Sequence, residues 1–345
     1  MPTMRDVARL AGVSVQTVSC VVNAKPGITA ETRAKVWQAI KELGYRPYSI
    51  ARSLRTRHTH TIALFVTDIV NPSLATMAGA AEDHAHAFGY SMVLYNTHGD
   101  VAREADYMRT AIERWVDGVL IIAVAEQMPG LVVLHEAGIP VVAIDRVPVE
   151  HTGPTVTLDN VKAGWLAAGH LLDLGHTRIA HISGPLSLRL ARERLAGFQQ
   201  AIAARGLPPG VCVSGEGMWE CAAGYRAMQR ILSGAEELSG TKGAGGTSLP
   251  TAVFAANDRM AFGAMRAIDE AGLRVPHDIS VVGLDDIEVA AFQTPPLTTV
   301  RQSFTKMATL GVQLLLELLA GREPEQPHVV LEPELIVRHS TAAPG

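Results

Sequence analysis

Three apolar runs in this chain end in a side chain that can form directed hydrogen bonds: PVVAID in Asp145, TAVFAAN in Asn257 and ISVVGLD in Asp285. Runs that are nearly all hydrophobic over six or seven residues predict parallel strands buried on both faces. Open parallel sheets bind ligands beyond the carboxyl ends of their strands, so these residues are expected to fall at equivalent places around a crevice. Arg194 belongs to the early turns of the helix after HISGP, and Trp219 to the polar loop GEGMWEC. Carboxylates and an arginine fork can bracket neighbouring sugar hydroxyls, while an indole face covers the C–H surface.

A second constellation opens the chain. In TMRDVARLAGVSVQTVSCVVN, residues 3–23, Thr3 and Asp6 have the spacing of a capping arrangement, and Val7 with Leu10 supplies an apolar face. Gly12 permits a tight turn, Ser14 can cap a second helix, and Val18, Val21 and Val22 give that helix a buried stripe. Two short helices across such a turn match a helix-turn-helix, whose second helix enters the DNA major groove. Gln16 can bond adenine bidentately and Val15 can touch a thymine methyl, while the hydroxyls of Ser14, Thr17 and Ser19 reach phosphates or bases. Thr3, Asn23, Thr32 and Tyr45 are further candidate DNA contacts. From Thr29, a third helix is expected, with Val36, Ile40 and Leu43 on one face and Gly44 as its stop.

Charge separates the same two regions. Residues 1–60 carry ten Lys or Arg against three acids, leaving 20 bases against 31 acids in residues 61–345. A basic head on an acidic body suits a polyanion partner, because neutralising phosphates releases counterions. The chain of 345 residues is long enough for two or three packed domains, and Cys20, Cys212 and Cys221 suit a reduced, cytoplasmic setting better than a disulfide framework. Neither a secretion signal nor a membrane span is read.

The elements that must hold the crevice repeat along the body. TIALFVT, SMVLYN, GVLIIAV, PVVAID, RIAHISG, TAVFAAN and ISVVGLD alternate with helical segments such as MAFGAMRAIDEAG. This alternation predicts α/β architecture with doubly wound parallel sheets, all seven runs being buried strands. GAEELSGTKGAGGTSL, residues 234–249, reads as a surface loop.

Catalytic signatures are missing: there is no G-x-G-x-x-G after a strand, no P-loop and no G-x-S-x-G elbow. His135-Glu136 lacks the second histidine of a zinc motif, and His84 and His86 point in different directions on a helix. No catalytic residue, metal or cofactor is expected. Asp258 reads as a helix cap, and Asn71 before Pro72 reads equally as a turn residue or a crevice residue.

The chain resembles the lactose-repressor (LacI/GalR) family of bacterial transcription regulators over nearly its whole length. DVARLAGVSVQTVSCVVN and GYRP mark the head, AGHLLDLGHTRIAHISGP and RLAGF the middle, and FAANDRMAFGAMRAIDEAGLRVPHDISVVGLDD with PPLTTVRQ the second half. The resemblance implies a three-helix head over 1–46 and a hinge helix over 47–59. It further implies two periplasmic-binding-protein-like subdomains, 60–158 with part of 301–345 and 159–300 with part of 320–340. It assigns Arg194, Asn257 and Asp285 to effector contact, with Trp219 and Phe304 as apolar walls and Asp145 as a further match. Leu54, flanked by Arg52, would be the side chain that wedges between base steps in the minor groove.

Cys20 stands where close relatives of the lactose repressor carry arginine, removing a guanine-reading fork. Ala123 and Leu190 stand where that repressor is polar, so the ligand need not be a galactoside. The expected protein is therefore a repressor binding operator DNA as a homodimer, since VRHSTAAPG carries no apolar heptads, under control of a sugar effector. The alternatives are a purine or nucleoside corepressor, a free-standing sugar-binding protein and an enzyme.

Overall fold

The computed structural model describes residues 2–23, 25–45, 58–208, 211–214, 219–234 and 249–345. Contacts divide the chain into residues 1–59 and 60–345. Arg52, Leu54 and most of the expected hinge lie outside the described residues, as do residues 235–248 of the Gly/Ser-rich segment.

In the head, α1 (Met4–Ala11), α2 (Val15–Val22) and α3 (Ala30–Leu43) follow in order. Each begins where a side-chain oxygen can satisfy an orphan amide: Thr3 in a reciprocal capping box with Asp6, Ser14 on Thr17, and Thr29 on Thr32. Gly12 and Gly44 end α1 and α3 in left-handed conformation, which glycine adopts without steric cost. Val7, Val18, Val21, Val36 and Ile40 close the small core between the helices.

The larger unit contains two six-stranded sheets. The first is built from β1 (Thr61–Val66), β2 (Ser91–Asn96), β3 (Gly118–Ile121), β4 (Val141–Ile144), β5 (Thr155–Leu158) and β11 (His328–Leu331), in the order β11-β5-β4-β3-β1-β2 with every pair parallel. The second has β6 (Ile179–Ser183), β7 (Val211–Ser214), β8 (Ala252–Ala255), β9 (Ser280–Asp285), β10 (Thr298–Arg301) and β12 (Glu334–Ile336), in the order β12-β10-β9-β8-β6-β7. Only β12 runs antiparallel to its neighbour. The chain crosses from the first sheet to the second after β5, returns after β10 and crosses again between β11 and β12. The second and third crossings join strands that lie first or second from one edge of their sheets, and the first leaves β5 at that edge and reaches β6, the fifth strand of the second sheet, through an intervening helix.

Six of the seven apolar runs form buried strands, but β2 does not: Leu94 is 42% exposed and Ser91 is exposed as well. SMVLYN lies at the sheet's outer edge, where one flank lacks a neighbour, and composition alone does not distinguish an edge from a centre.

Helices cover the sheets in chain order: α4 (Pro72–Ala87), α5 (Val101–Glu113), α6 (Leu131–Glu136), α7 (Asn160–Asp173), α8 (Arg189–Ala204), α9 (Cys221–Leu232), α10 (Asp258–Glu270) and α11 (Phe304–Leu319). A short 3₁₀ turn, Glu288–Phe292, follows β9. Helices α7 and α8 touch backbone to backbone, because Gly164 lies against the carbonyl of Arg194 and Gly197 against that of Val161. Gly224 and Gly263 serve α9 and α10 in the same way. Among the described residues no helix is long and apolar enough to cross a membrane.

Candidate functional site

On the head, Val15 is 41% exposed and Gln16 is exposed at the start of α2, and Gln16 has no hydrogen-bond partner among the described residues. The neighbouring hydroxyls are partly committed. The Ser14 hydroxyl accepts the Thr17 amide at 3.0 Å, and the Thr3 hydroxyl donates to Asp6 at 2.7 Å. The Asn23 side-chain amide donates to the Ser19 carbonyl at 2.6 Å, and the Thr29 hydroxyl donates to Thr32 at 2.9 Å. Tyr45 is 7% exposed and packs in the head's core, where its amide bonds the Ile40 carbonyl and folds the chain back over α3. Cys20 is half-buried with a free thiol.

In the larger unit, the carboxyl ends of the two sheets meet at a cleft. A cavity of about 230 Å³ is lined from the first sheet by Asp68, Asn71, Glu126 and Arg146, and from the second by Pro185, Leu188, Trp219 and Arg259. A neighbouring cavity of about 400 Å³ includes Asp145, Arg146, Asn160 and Leu190.

The buried and half-buried polar groups beside these cavities form three sets of side-chain hydrogen bonds. Arg194 reaches from the second turn of α8 and donates to Asn160 at 2.9 Å, the Ala256 carbonyl at 2.7 Å and Gln302 at 3.4 Å. Gln302 in turn donates to Asp145 at 3.3 Å, and Ser73 donates to Asp285 at 3.1 Å across the cleft. Asn257 caps α10 through the Met260 amide and donates to the Trp219 carbonyl at 3.3 Å.

The Trp219 ring lies over Gly184, where a Cβ would occupy its place, with Arg194 and Arg146 at 5.4 and 5.8 Å from its centroid. Two buried donors, Trp219 Nε1 and Arg146 Nε, lack a hydrogen-bond partner. Buried polar atoms are usually satisfied, so donors left open beside a cavity fit a ligand rich in acceptors. Asp145 and Asp285 hold positive φ of 62° and 126° at the strand ends. Non-glycine residues rarely adopt such angles, and strained backbone concentrates at ligand sites.

Burial pushes the Asp285 carboxyl well above the usual range, against the pull of Arg194. Burial also lowers the Arg146 and Arg194 guanidiniums, while the nearby aspartates favour their charged forms. Behind Arg146 lies Glu104 on α5, whose carboxylate accepts the Val124 amide at 3.0 Å. Burial raises Glu104 to about 7, opposed by the Val124 bond and by Arg146.

A carboxyl raised on folding holds its proton in the native state after the unfolded chain has released it. Its stabilisation is therefore complete below the ordinary value of 4.5 and is lost as pH rises through about 7. Glu104→Gln should erase a loss of roughly 2 kcal/mol between about pH 4.5 and 7.5, read from urea midpoints at both ends. Equal pH dependence in wild type and variant would refute the assignment.

Asp145, Asn257 and Asp285 lie at strand ends, Arg194 in an early helix turn and Trp219 in the loop before α9, and the fold brings them together. Asn71 both caps α4 and lines the smaller cavity. Phe304 is 8% exposed and belongs to the apolar core at the start of α11. Asp258 is a correction: Asn257 is the cap, and Asp258 accepts the Ile287 amide at 2.9 Å and the Thr299 hydroxyl at 2.5 Å, fastening α10 to the strands beside it. Arg146, Gln302, Ser73 and Asn160 were missed. Arg146 directly follows a strand-end aspartate and Gln302 ends PPLTTVRQ, which were the available signals. No group of three or more His, Cys, Asp or Glu side chains suited to a metal occurs among the described residues.

Residues 3–48 match the profile of bacterial regulatory proteins of the lacI family, and residues 168–341 match that of a periplasmic binding protein-like domain. The ribose operon repressor of Escherichia coli (strain K12) is 38% identical over 343 residues, 99% of this chain and 100% of that protein. The HTH-type transcriptional repressor PurR of Aliivibrio fischeri (strain MJ11) is 36% identical over 342 residues, 99% of this chain and 98% of its own. A crystal structure of the lac repressor dimer bound to operator and the anti-inducer ONPF superposes with a TM-score of 0.86 at 32% identity, covering 99% of both chains.

Proposed function

The chain belongs to the LacI family of bacterial regulatory proteins, a family of DNA-binding repressors rather than enzymes, and from that premise we propose that it represses transcription under the control of D-ribose or a closely related monosaccharide. The head reads operator DNA through α2, two copies of the chain occupy paired half-sites, and the protein acts in the cytoplasm. The observation that carries the effector is the buried set of Arg146, Arg194, Asp145, Asp285, Asn257 and Gln302 beside the Trp219 ring. Two guanidinium forks, two carboxylates and two amides suit adjacent hydroxyls, and the indole face suits the C–H side of a sugar ring.

A ligand alters operator affinity only through different affinities for two arrangements of the protein, and the coupling is reciprocal. Calorimetry with D-ribose and with a purine base, each with and without an operator selected from random DNA, tests the assignment. Ribose binding that weakens on operator supports an inducible repressor. Purine binding that strengthens on operator would replace the sugar by a corepressor, and ribose affinity indifferent to operator would remove the regulatory role.

Gln16→Ala should weaken the selected operator by roughly 1–3 kcal/mol, about tenfold to a hundredfold, with non-specific DNA affinity unchanged. A gel-shift series at fixed salt measures both affinities. An equal loss on random DNA would mean that Gln16 contributes no base reading.

A further inference from the structure

We propose that two ion pairs, Glu126 with Arg192 and Asp68 with Arg259, latch the cleft across the side away from its hinge and set how tightly a bound effector is retained. The inference rests on the reading of the cleft as the site of a small effector. Arg192 Nη2 donates to both Glu126 carboxylate oxygens, at 2.8 and 3.0 Å, while Nη1 donates to the carbonyls of Leu186 and Ser187 at 2.9 and 3.0 Å. One guanidinium therefore fixes the turn between β6 and α8, which supplies Ser187 and Leu188 to the cavity wall, and ties that turn to the opposite sheet. On the other side, the Glu126 carbonyl accepts the Val149 amide at 2.8 Å, binding the loop after β3 to the loop after β4. The second pair spans 3.6 Å between Arg259, in the first turn of α10, and Asp68, after β1.

Topology gives these pairs leverage. Their residues follow β3 and β1 in the first sheet and β6 and β8 in the second, the fourth or fifth strands counted from the edge that holds β11 and β5 in the first sheet and β12 and β10 in the second. A hinge at that edge moves this side of the cleft furthest. Ser73 with Asp285 and Gln302 with Asp145 also span between the halves, but from the set assigned to the effector itself.

The latch groups are partly exposed, at 47% and 26% for the side chains of Arg192 and Glu126 and 20% and 32% for those of Arg259 and Asp68. Exposed ion pairs are individually weak, whereas a guanidinium already fixed on the Leu186 and Ser187 carbonyls loses less freedom on pairing, so the two pairs together should favour closure about tenfold. An effector that binds the closed arrangement gains in proportion to the closed fraction, by at most that factor, and salt reduces the gain.

The test combines Glu126→Gln with Asp68→Asn in the full chain. Spin labels at Gln127→Cys and Gln200→Cys, exposed positions on opposite halves, report the cleft distance after Cys20, Cys212 and Cys221 are changed to serine. At about 50 mM KCl the intact latch should give short and longer distances in comparable amounts and the double variant mainly the longer one, which should also dominate in the intact protein in about 1 M KCl. Identical distance distributions with and without the latch at low salt would overturn the proposal. Calorimetry with D-ribose should show about fivefold weaker binding to the double variant at low salt, matching the fall in its closed fraction, the gap closing at high salt. Equal low-salt affinities would overturn it too. If the unsubstituted protein takes up no D-ribose, the effector assignment fails, and the distance measurement still decides the latch.

Discussion

Arg194→Leu is expected to lower D-ribose affinity by at least about a thousandfold and to destabilise the larger unit by roughly 3–5 kcal/mol. Leucine has comparable bulk but no donors. Its introduction leaves the Asn160 side-chain oxygen, the Ala256 carbonyl and Gln302 without the bonds they now accept, all in a region closed to water. It also removes the cation that offsets Asp285 and Asp145, whose buried carboxylates would then repel one another. Deleting one partner of a buried charged network leaves the other partners uncompensated, which accounts for the stability loss.

Two readouts separate binding from folding. Urea unfolding of the full chain reports the larger unit, and calorimetry at a temperature where the variant remains folded reports the effector. Asp285→Asn serves as the companion, because it retains shape and hydrogen-bonding capacity and should bind ribose at least tenfold more weakly with little stability loss. Normal ribose binding by both variants would show that the cleft has been assigned to the wrong ligand.

Gly197→Ala is expected to cost roughly 2–4 kcal/mol despite adding a single methyl group on a helix, where alanine ordinarily stabilises. The added Cβ would sit inside the van der Waals radius of the Val161 carbonyl and close to the Trp165 amide. Both are backbone atoms of α7, so relief requires the two helices to separate. Gly164→Ala should behave alike, since its Cβ would strike the carbonyl of Arg194 itself.

That reciprocity links packing to function: separating α7 from α8 moves the base of the Arg194 side chain, and an ångström of misplacement is costly at a preorganised site. Both variants should therefore lose ribose affinity as well as stability, although neither glycine touches a cavity. A melting curve within about 1 °C of wild type for either variant would contradict the close approach, given the expected shift of 2–4 °C per kcal/mol in a unit of this size.

Much of this site was legible because strand ends and helix starts are local properties. A continuous apolar run closing on Asp145, Asn257 or Asp285 identifies both the strand and the residue beyond it. The alternating elements then predict that such ends gather on one side of a sheet. The same locality made the head readable, where Thr3, Ser14 and Thr29 cap helices and Gly12 and Gly44 stop them. Resemblance to a known family contributed what periodicity could not, including the expectation that Arg194 and Asn257 face an effector. The errors fall where position in the assembled structure decides: SMVLYN has the composition of an inner strand but lies at an edge, and Asp258 gives the cap to Asn257.

By itself, the sequence determined that there is a basic three-helix reader and an α/β body, where each helix begins and which strands end in hydrogen-bonding side chains, because capping, turn geometry and hydrophobic period act over a few neighbours. Only the tertiary structure decided that Arg146 and Gln302 join Asp145 and Arg194, that Ser73 meets Asp285, and that Glu126 meets Arg192 across the cleft. Ser73 and Asp285 are 212 positions apart in the chain, and Asp145 and Gln302 are 157 apart. Their meeting depends on two sheets and three crossings packed around a common core, and no local pattern encodes the distance between side chains so remote along the backbone.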